Sequence, residues 1–324
     1  MLDVLAIGDA VVDVIAATDD AFIAEAGLVK GSMRLIDQGE ARSLYARMGQ
    51  AQETSGGSAA NTVAGIAALG GRAGFIGQVA DDQLGDIFSH DIRALGVEFR
   101  TPAIKADVPT GRCLILVTPD AQRTMNTFPG ASHQLKVAAL DREQIRSAAI
   151  LYLEGYLLGP ERPRAAMREA IAVARGAGRK VAFTLSDIAC IARQKDAFLE
   201  LLDSGAVDML FANEQEIVAI SGCRELAGAL AVMERKVPLL VVTCGERGAV
   251  AVEAGTRFDA PAAHVPDVVD TTGAGDLFAA GFLTGRARGR SLPDCLRMGA
   301  VAAGEVISHF GARPLANLKE LVNP

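Results

Sequence analysis

The sequence contains no tryptophan, three tyrosines and only four histidines, which stand far apart at His90, His133, His264 and His309. None belongs to an H-E-x-x-H or similar array, so each reads as a surface or structural residue rather than a metal ligand. The five cysteines, Cys113, Cys190, Cys223, Cys244 and Cys295, are odd in number and never spaced C-x-x-C. They read as reduced thiols of a cytoplasmic protein. Positive charge is in deficit: 32 Lys and Arg stand against 39 Asp and Glu, a formal charge of −7. Such a chain has nothing to displace counterions along a nucleic-acid backbone. No apolar run reaches the ~18 residues of a membrane span. The first stretch lacks a basic region and carries Asp3, Asp9 and Asp13, unlike a signal peptide. The expectation is a soluble cytoplasmic protein with neither nucleic-acid nor membrane partners.

Several nucleotide and nucleophile motifs are also missing. No Gly-Lys pair occurs anywhere, which excludes a G-x-x-x-x-G-K-S/T loop, and neither G-x-G-x-x-G nor G-x-S-x-G is present. What remains is half hydrophobic, with 34 glycines, enough apolar material for a sizeable α/β core.

Short Val/Ile/Leu runs at 2–8, 73–79, 149–153, 180–185, 207–212 and 239–243 read as buried parallel strands. Helical periodicity at 83–95, 162–175, 197–202 and 214–220 alternates with them. This predicts an α/β fold with a doubly wound, mostly parallel sheet whose ligands lie at the carboxyl ends of its strands. Residues 32–37 and 111–126 break the rhythm and read as antiparallel strands, the second interrupted by a turn at 119–122. We expect one domain over 1–324, with insertions near 10–40 and 98–128 forming a small β-strand lid.

Two glycine-rich stretches carry the chemistry. In Asp270-Thr271-Thr272-Gly273-Ala274-Gly275-Asp276 a strand predicted at 265–269 runs through a tight turn into an apolar helix. The uncovered N–H groups at Gly273, Ala274 and Gly275, with the helix dipole, form an anion site. Asp276 is an odd neighbour for an anion unless it takes a proton from a hydroxyl while the N–H groups hold a phosphoryl group. The alternative is an ordinary helix start with a capping acid. The second stretch, Ser55-Gly56-Gly57-Ser58-Ala59-Ala60-Asn61, opens another helix with residues small enough for close approach. Asn61 then points an amide toward that end.

Together these stretches resemble the two signatures of the ribokinase-like (PfkB) family of carbohydrate and nucleoside kinases. Further elements occur in the family's order. Asp13 falls at the family's substrate-hydroxyl position, with Asp9 nearby read as structural. Asn213-Glu214-Gln215-Glu216 matches its N-x-x-E motif for Mg²⁺ and phosphate. Thr243-Cys244-Gly245-Glu246-Arg247-Gly248 matches its nucleotide loop.

The resemblance implies ATP and Mg²⁺ as cofactors, Asp276 as general base and Gly273–Gly275 as anion hole. It assigns Asp13, Gly56, Gly57, Asn61 and Arg123 to the acceptor, and Asn213, Thr243, Gly245 and Gly248 to the nucleotide. Mg²⁺ would be met by Glu216 and Asn213 through water, the alternative for Glu216 being an exposed first-turn acid. Asp270 and Thr272 would meet a monovalent cation, K⁺ in some members. Residues 8–13, 55–61 and 123–131 look most like bacterial adenosine-kinase-like members, which implies the 5′-hydroxyl of adenosine as acceptor. Ile36, Met125, Phe128 and Leu157 are candidates for an apolar purine slot. A free sugar remains the alternative acceptor. A nucleoside-binding protein without turnover is disfavoured, because it could dispense with Asp276 and Glu216. Either a monomer or a homodimer is compatible.

Overall fold

The computed structural model describes residues 1–120 and 122–322. Among the described residues fourteen strands are present: β1 Leu2–Ile7, β2 Val11–Ala17, β3 Met33–Leu35, β4 Ala51–Gly56, β5 Ala73–Ile76, β6 Glu98–Phe99, β7 Thr110–Val117, β8 Arg123–Gly130, β9 Ala148–Glu154, β10 Lys180–Thr184, β11 Met209–Asn213, β12 Leu239–Thr243, β13 Ala249–Glu253 and β14 Thr256–Ala260. Nine form one sheet in the order β14-β13-β12-β11-β10-β9-β1-β5-β6, and five form a smaller sheet in the order β3-β8-β7-β2-β4.

The α/β expectation holds. The large sheet is parallel from β12 to β6, and β13, paired antiparallel with both β12 and β14, is the strand that runs against the others. Its parallel strands carry the continuous apolar runs, because helices cover both faces and leave no wet side. One apolar cluster joins Val4, Ile150, Phe211 and Val241 to the helices Ser58–Ala68, Ala274–Ala287 and Leu292–Val306. Leu5, Leu151, Phe183 and Leu240 face the opposite cluster, under the helices Glu161–Gly176 and Ile188–Asp203. From β1 the chain proceeds to β5 on one side, and later to β9 and β10 on the other. The switch therefore lies between β1 and β9, paired at Ile7 and Leu153. A crevice at the carboxyl ends of such a pair is where α/β sheets bind ligands.

Three local expectations are corrected. Residues 265–269 form no strand, because Pro266 lacks a ladder donor and Val269 N–H bonds Ile307 O instead. The strand expected at 32–37 is only Met33–Leu35, and it pairs parallel, not antiparallel, with β8. The helix expected at 197–202 belongs to Ile188–Asp203, broken at Gln194 (φ −127°). β7 and β8 do pair antiparallel. Of the turn expected between them, Ala121 lies outside the described residues.

The smaller sheet has two unlike faces. Val12, Val14, Leu114, Leu116, Ile36 and Phe128 pack with Ala41, Leu44, Phe88 and Ile92 in the core. By register, the other face carries Asp13, Cys113 and Thr127, and beside them Ile15, Ile115, Met125 and Met33.

Candidate active site

Asp276 lies in the first turn of the helix Ala274–Ala287, whose N-cap Gly273 is left-handed at φ +78°. A Cβ on Gly273 would meet Ala312 Cβ at 2.7 Å, so both conformation and space require glycine there. Gly275 has an ordinary φ and open space above it; its role is clearance, not turning. Ala274 N–H is already bonded to Thr271 O at 3.2 Å, and the helical ladder resumes at Leu277 N–H to Gly273 O. The N–H groups of Gly273, Gly275 and Asp276 make no bond among the described residues, so of the three donors expected for the anion site only that of Ala274 is already taken.

The Asp276 carboxylate accepts from Ser58 Oγ at 2.6 Å and from Asn61 Nδ2 at 3.0 Å. The two glycine-rich stretches thus meet at one carboxylate. Burial pushes the Asp276 pKa up, while Ser58, Asn61 and the Arg313 charge hold it down. Asn61 therefore orients the Asp276 carboxylate, and its own Oδ1 is buried without a partner.

The first strand, β1, ends at Ile7, so Asp13 does not stand at its carboxyl end. It is instead the third residue of β2, on the smaller sheet, and a Cβ on Gly56 would collide with its carboxylate. Gly57, at φ +98°, passes so close to Asp9 O that no side chain fits. Burial lifts the Asp13 pKa to about 6, opposed by Arg313 and Arg123 and assisted by Asp276.

Arg123, at the start of β8, is buried and paired with Asp270 at 2.5 Å, and its guanidinium lies over Phe310. Asp270 also accepts from Thr272 N–H at 3.0 Å and Gly311 N–H at 2.9 Å. The cation facing this carboxylate is thus a guanidinium, held on Oδ2, while Oδ1 accepts only from Thr272 N–H.

Asn213 and Thr243 are register partners at the carboxyl ends of β11 and β12. Asn213 and Glu216 form a reciprocal cap: Asn213 Oδ1 accepts from Glu216 N–H, and Glu216 accepts from Asn213 N–H and Nδ2. Glu216 is buried, not the exposed first-turn acid of the alternative reading. Burial raises its pKa to about 7, with the charges of Asp187 and Asp276 adding to the shift. Among the described residues no three acidic, His or Cys side chains converge to cage a metal. Each Glu216 oxygen still has a free lone pair, and a single carboxylate with an amide suits a divalent ion held mainly through its waters and by phosphates. The residues therefore fit Mg²⁺.

Beside Asp276 opens a groove of about 660 Å³, lined by Thr243, Gly245, Gly248, His264, Gly275 and Phe278 among others. Gly245 and Gly248 are both left-handed. His264, read from sequence as surface or structural, is part of this wall.

Sequence reasoning missed four residues. Glu154, at the end of β9, is fully buried and accepts from Asp9 N–H at 2.6 Å and Ala59 N–H at 2.7 Å. An acid directly after the run 149–153 was the available signal. Burial and the Asp9 charge push its pKa well up. Ser58 lay inside a quoted motif unremarked, while Arg313 and Asp91 carried no local signal. Of the four purine-slot candidates, only Met125 shares the Asp13 face. Ile36 and Phe128 point into the opposite core, and Leu157 is fully buried under the large sheet.

A carboxylate held at a helix N-terminus, beside free backbone N–H groups and a nucleotide-sized groove, suits phosphoryl transfer to a hydroxyl group. The family model of pfkB carbohydrate kinases matches residues 1–318, and the chain belongs to that family. An adenosine kinase structure from Sinorhizobium meliloti is 48% identical, covers 98% of each chain and superposes with a TM-score of 0.93. A probable sugar kinase structure from Rhizobium etli CFN 42 is 45% identical with the same TM-score, covering 98% of this chain and 97% of its own. A fructokinase of Salmonella typhimurium is 31% identical over 242 residues, 72% of this chain and 78% of the relative. No described helix is long and apolar enough to cross a membrane.

Proposed function

We propose that this chain is an ATP- and Mg²⁺-dependent kinase that phosphorylates the 5′-hydroxyl of adenosine, with Asp276 as general base. The carrying observation is Asp276 bonded to Ser58 and Asn61, with Asp13 across the Gly56-Gly57 turn. Asp13 accepts the two hydroxyls of a vicinal diol, and Asp276 receives the proton of the attacking hydroxyl. The N–H groups of Gly275 and Asp276 take the charge on the moving phosphoryl group. Mg²⁺ supplies charge neutralisation on the phosphates, and Glu216 with Asn213 would hold its waters. The ATP base lies in the groove beside His264, and the smaller sheet acts as a lid over the acceptor.

The apolar group Ile15, Met33, Ile115 and Met125, next to polar Asp13 and Thr127, suits a flat base attached to a ribose. The likeness to an adenosine kinase at 48% identity supports the same choice. A free sugar is the second reading, favoured by the fructokinase and probable sugar kinase likenesses.

The test is ADP release with adenosine, ribose, fructose and 2-keto-3-deoxygluconate, alongside thermal shift with each. Adenosine at 100 times its Kd is expected to stabilise the protein by ~2.7 kcal/mol and to be turned over. Turnover of fructose or ribose alone would transfer the assignment to the sugar reading, and no turnover at all would end the kinase reading.

Because Arg123 already matches Asp270, K⁺ is expected to be dispensable. Replacing it with tetramethylammonium at equal ionic strength should leave kcat within about twofold, since the carboxylate's charge is met by a buried guanidinium. A loss above about tenfold, restored by K⁺, would show a cation site built from other groups.

A further inference from the structure

One guanidinium ties together the segments that frame the acceptor. Arg313 lies in the irregular chain after the helix Leu292–Val306. Its Nη2 donates to Ser55 O at 2.7 Å and Ser55 Oγ at 3.1 Å, and its Nη1 donates to Ala60 O at 2.8 Å. Ser55 is the next-to-last residue of the edge strand β4 and Ala60 lies in the first turn of the helix Ser58–Ala68, so these bonds bracket Gly56-Gly57. Asp91, on the helix Gln83–Ala94, takes Ser55 N–H at 2.9 Å and Thr54 Oγ1 at 3.1 Å. Both backbone polar groups of Ser55 are therefore held by charged side chains, through bonds roughly twice as strong as neutral ones.

The same guanidinium bears electrostatically on the site. Facing Asp13 are Arg313, Arg123, Asp276 and the Cys113 thiol. Facing Asp276 are Arg313, Ser58 and Asn61, while Tyr152, Glu154, Tyr156 and Glu216 feel its charge. Desolvation lowers the Arg313 pKa to about 10, and Asp13, Asp276 and Asp91 oppose that loss.

We propose that Arg313 is a positioning residue for the phosphoryl acceptor: it clamps the Gly56-Gly57 turn under Asp13 and sets one positive charge against both Asp13 and Asp276. This rests on the reading that those two carboxylates meet the acceptor. Two properties of one side chain are claimed, geometry from its fork of donors and charge from its cation, and the two separate by substitution.

The experiment compares Arg313→Gln and Arg313→Lys with wild type in the full chain, from about pH 5 to about pH 9, using the acceptor that wild type phosphorylates. In Arg313→Gln the acceptor KM is expected to rise about tenfold, with the ATP KM within about twofold. The acid limb of kcat/KM should move up by about one pH unit. Arg313→Lys should keep the raised KM but recover the wild-type limb, and it decides the matter alone if the Gln variant does not fold. Unmoved limbs, or both KM values rising together with a lower Tm, would reduce Arg313 to a structural prop and overturn the proposal. Hydrogen exchange at amides 56–61 reads the clamp independently of turnover. Faster exchange in Arg313→Gln is expected, and unchanged exchange refutes the clamp even where no acceptor is phosphorylated.

Discussion

Asp276→Asn is expected to lower kcat by ~10²–10⁴-fold, the range for loss of a general base, while both substrates bind nearly as in wild type. The structure explains why the variant should stay folded. The substituted amide can still accept the Ser58 hydroxyl on its oxygen. Its new NH₂ then faces Asn61 Nδ2, but Asn61 carries an unpartnered Oδ1 and can rotate its own amide to accept. What is lost is the capacity to take a proton. Single-turnover quench with saturating ATP is the measurement, and retention of more than about a tenth of the rate would remove Asp276 from the base role.

The second large effect is expected from Asp13→Ala. Losing hydrogen bonds to a charged group costs ~1.5–3 kcal/mol each, so the acceptor KM should rise roughly 10- to 150-fold while ATP affinity stays put. With wild type, 2′-deoxyadenosine and 3′-deoxyadenosine should each bind worse than adenosine. Against Asp13→Ala that difference should vanish, and persistence would mean that Asp13 does not read the diol.

Two pH signatures accompany this substitution. Because the Asp13 pKa is raised to about 6, the carboxylate protonates as pH falls through that value, and the wild-type acceptor KM should climb there. The sign for stability is opposite to that of a paired acid. A folded pKa above the unfolded one means ionisation costs stability, a cost that builds as pH rises from the unfolded value toward about 6. Asp13→Ala should therefore melt higher than wild type at neutral pH, with the gain shrinking as the solution is acidified. A Tm difference that does not change with pH would contradict the burial argument.

The strand ends and glycine turns were legible because their physics is local. β12 coincides with the run 239–243, since a strand buried on both faces needs apolar residues at every position. The stretch from Asp270 to Asp276 announces itself because turn, helix start and first-turn acid are contiguous. The run at 265–269 has three valines but also Pro266 and Asp267 and no neighbour to pair with, and its valines alone cannot distinguish a strand from chain packed against a helix. Three of the four purine-slot candidates lie off the Asp13 face for a related reason. Composition shows that Ile36 and Phe128 are apolar, but only the pairing of β3, β7 and β8 determines which face they occupy, and a one-residue change of register reverses it.

By itself the sequence determined the α/β class, the parallel central strands and the two glycine-rich turns, for each is written in adjacent residues and follows from backbone sterics and burial period. Only the tertiary structure decided how the acids are held. Ser58 reaches Asp276 across 218 positions, Glu154 reaches Ala59 across 95, and Arg313 reaches Ser55 across 258. A lone Ser, Glu or Arg has no local pattern that sets it apart from a solvated one. Its partner is supplied by strand order and by the crossing of distant segments at the β1–β9 switch, where burial makes every unpaired polar group costly and so selects the pairs that are made.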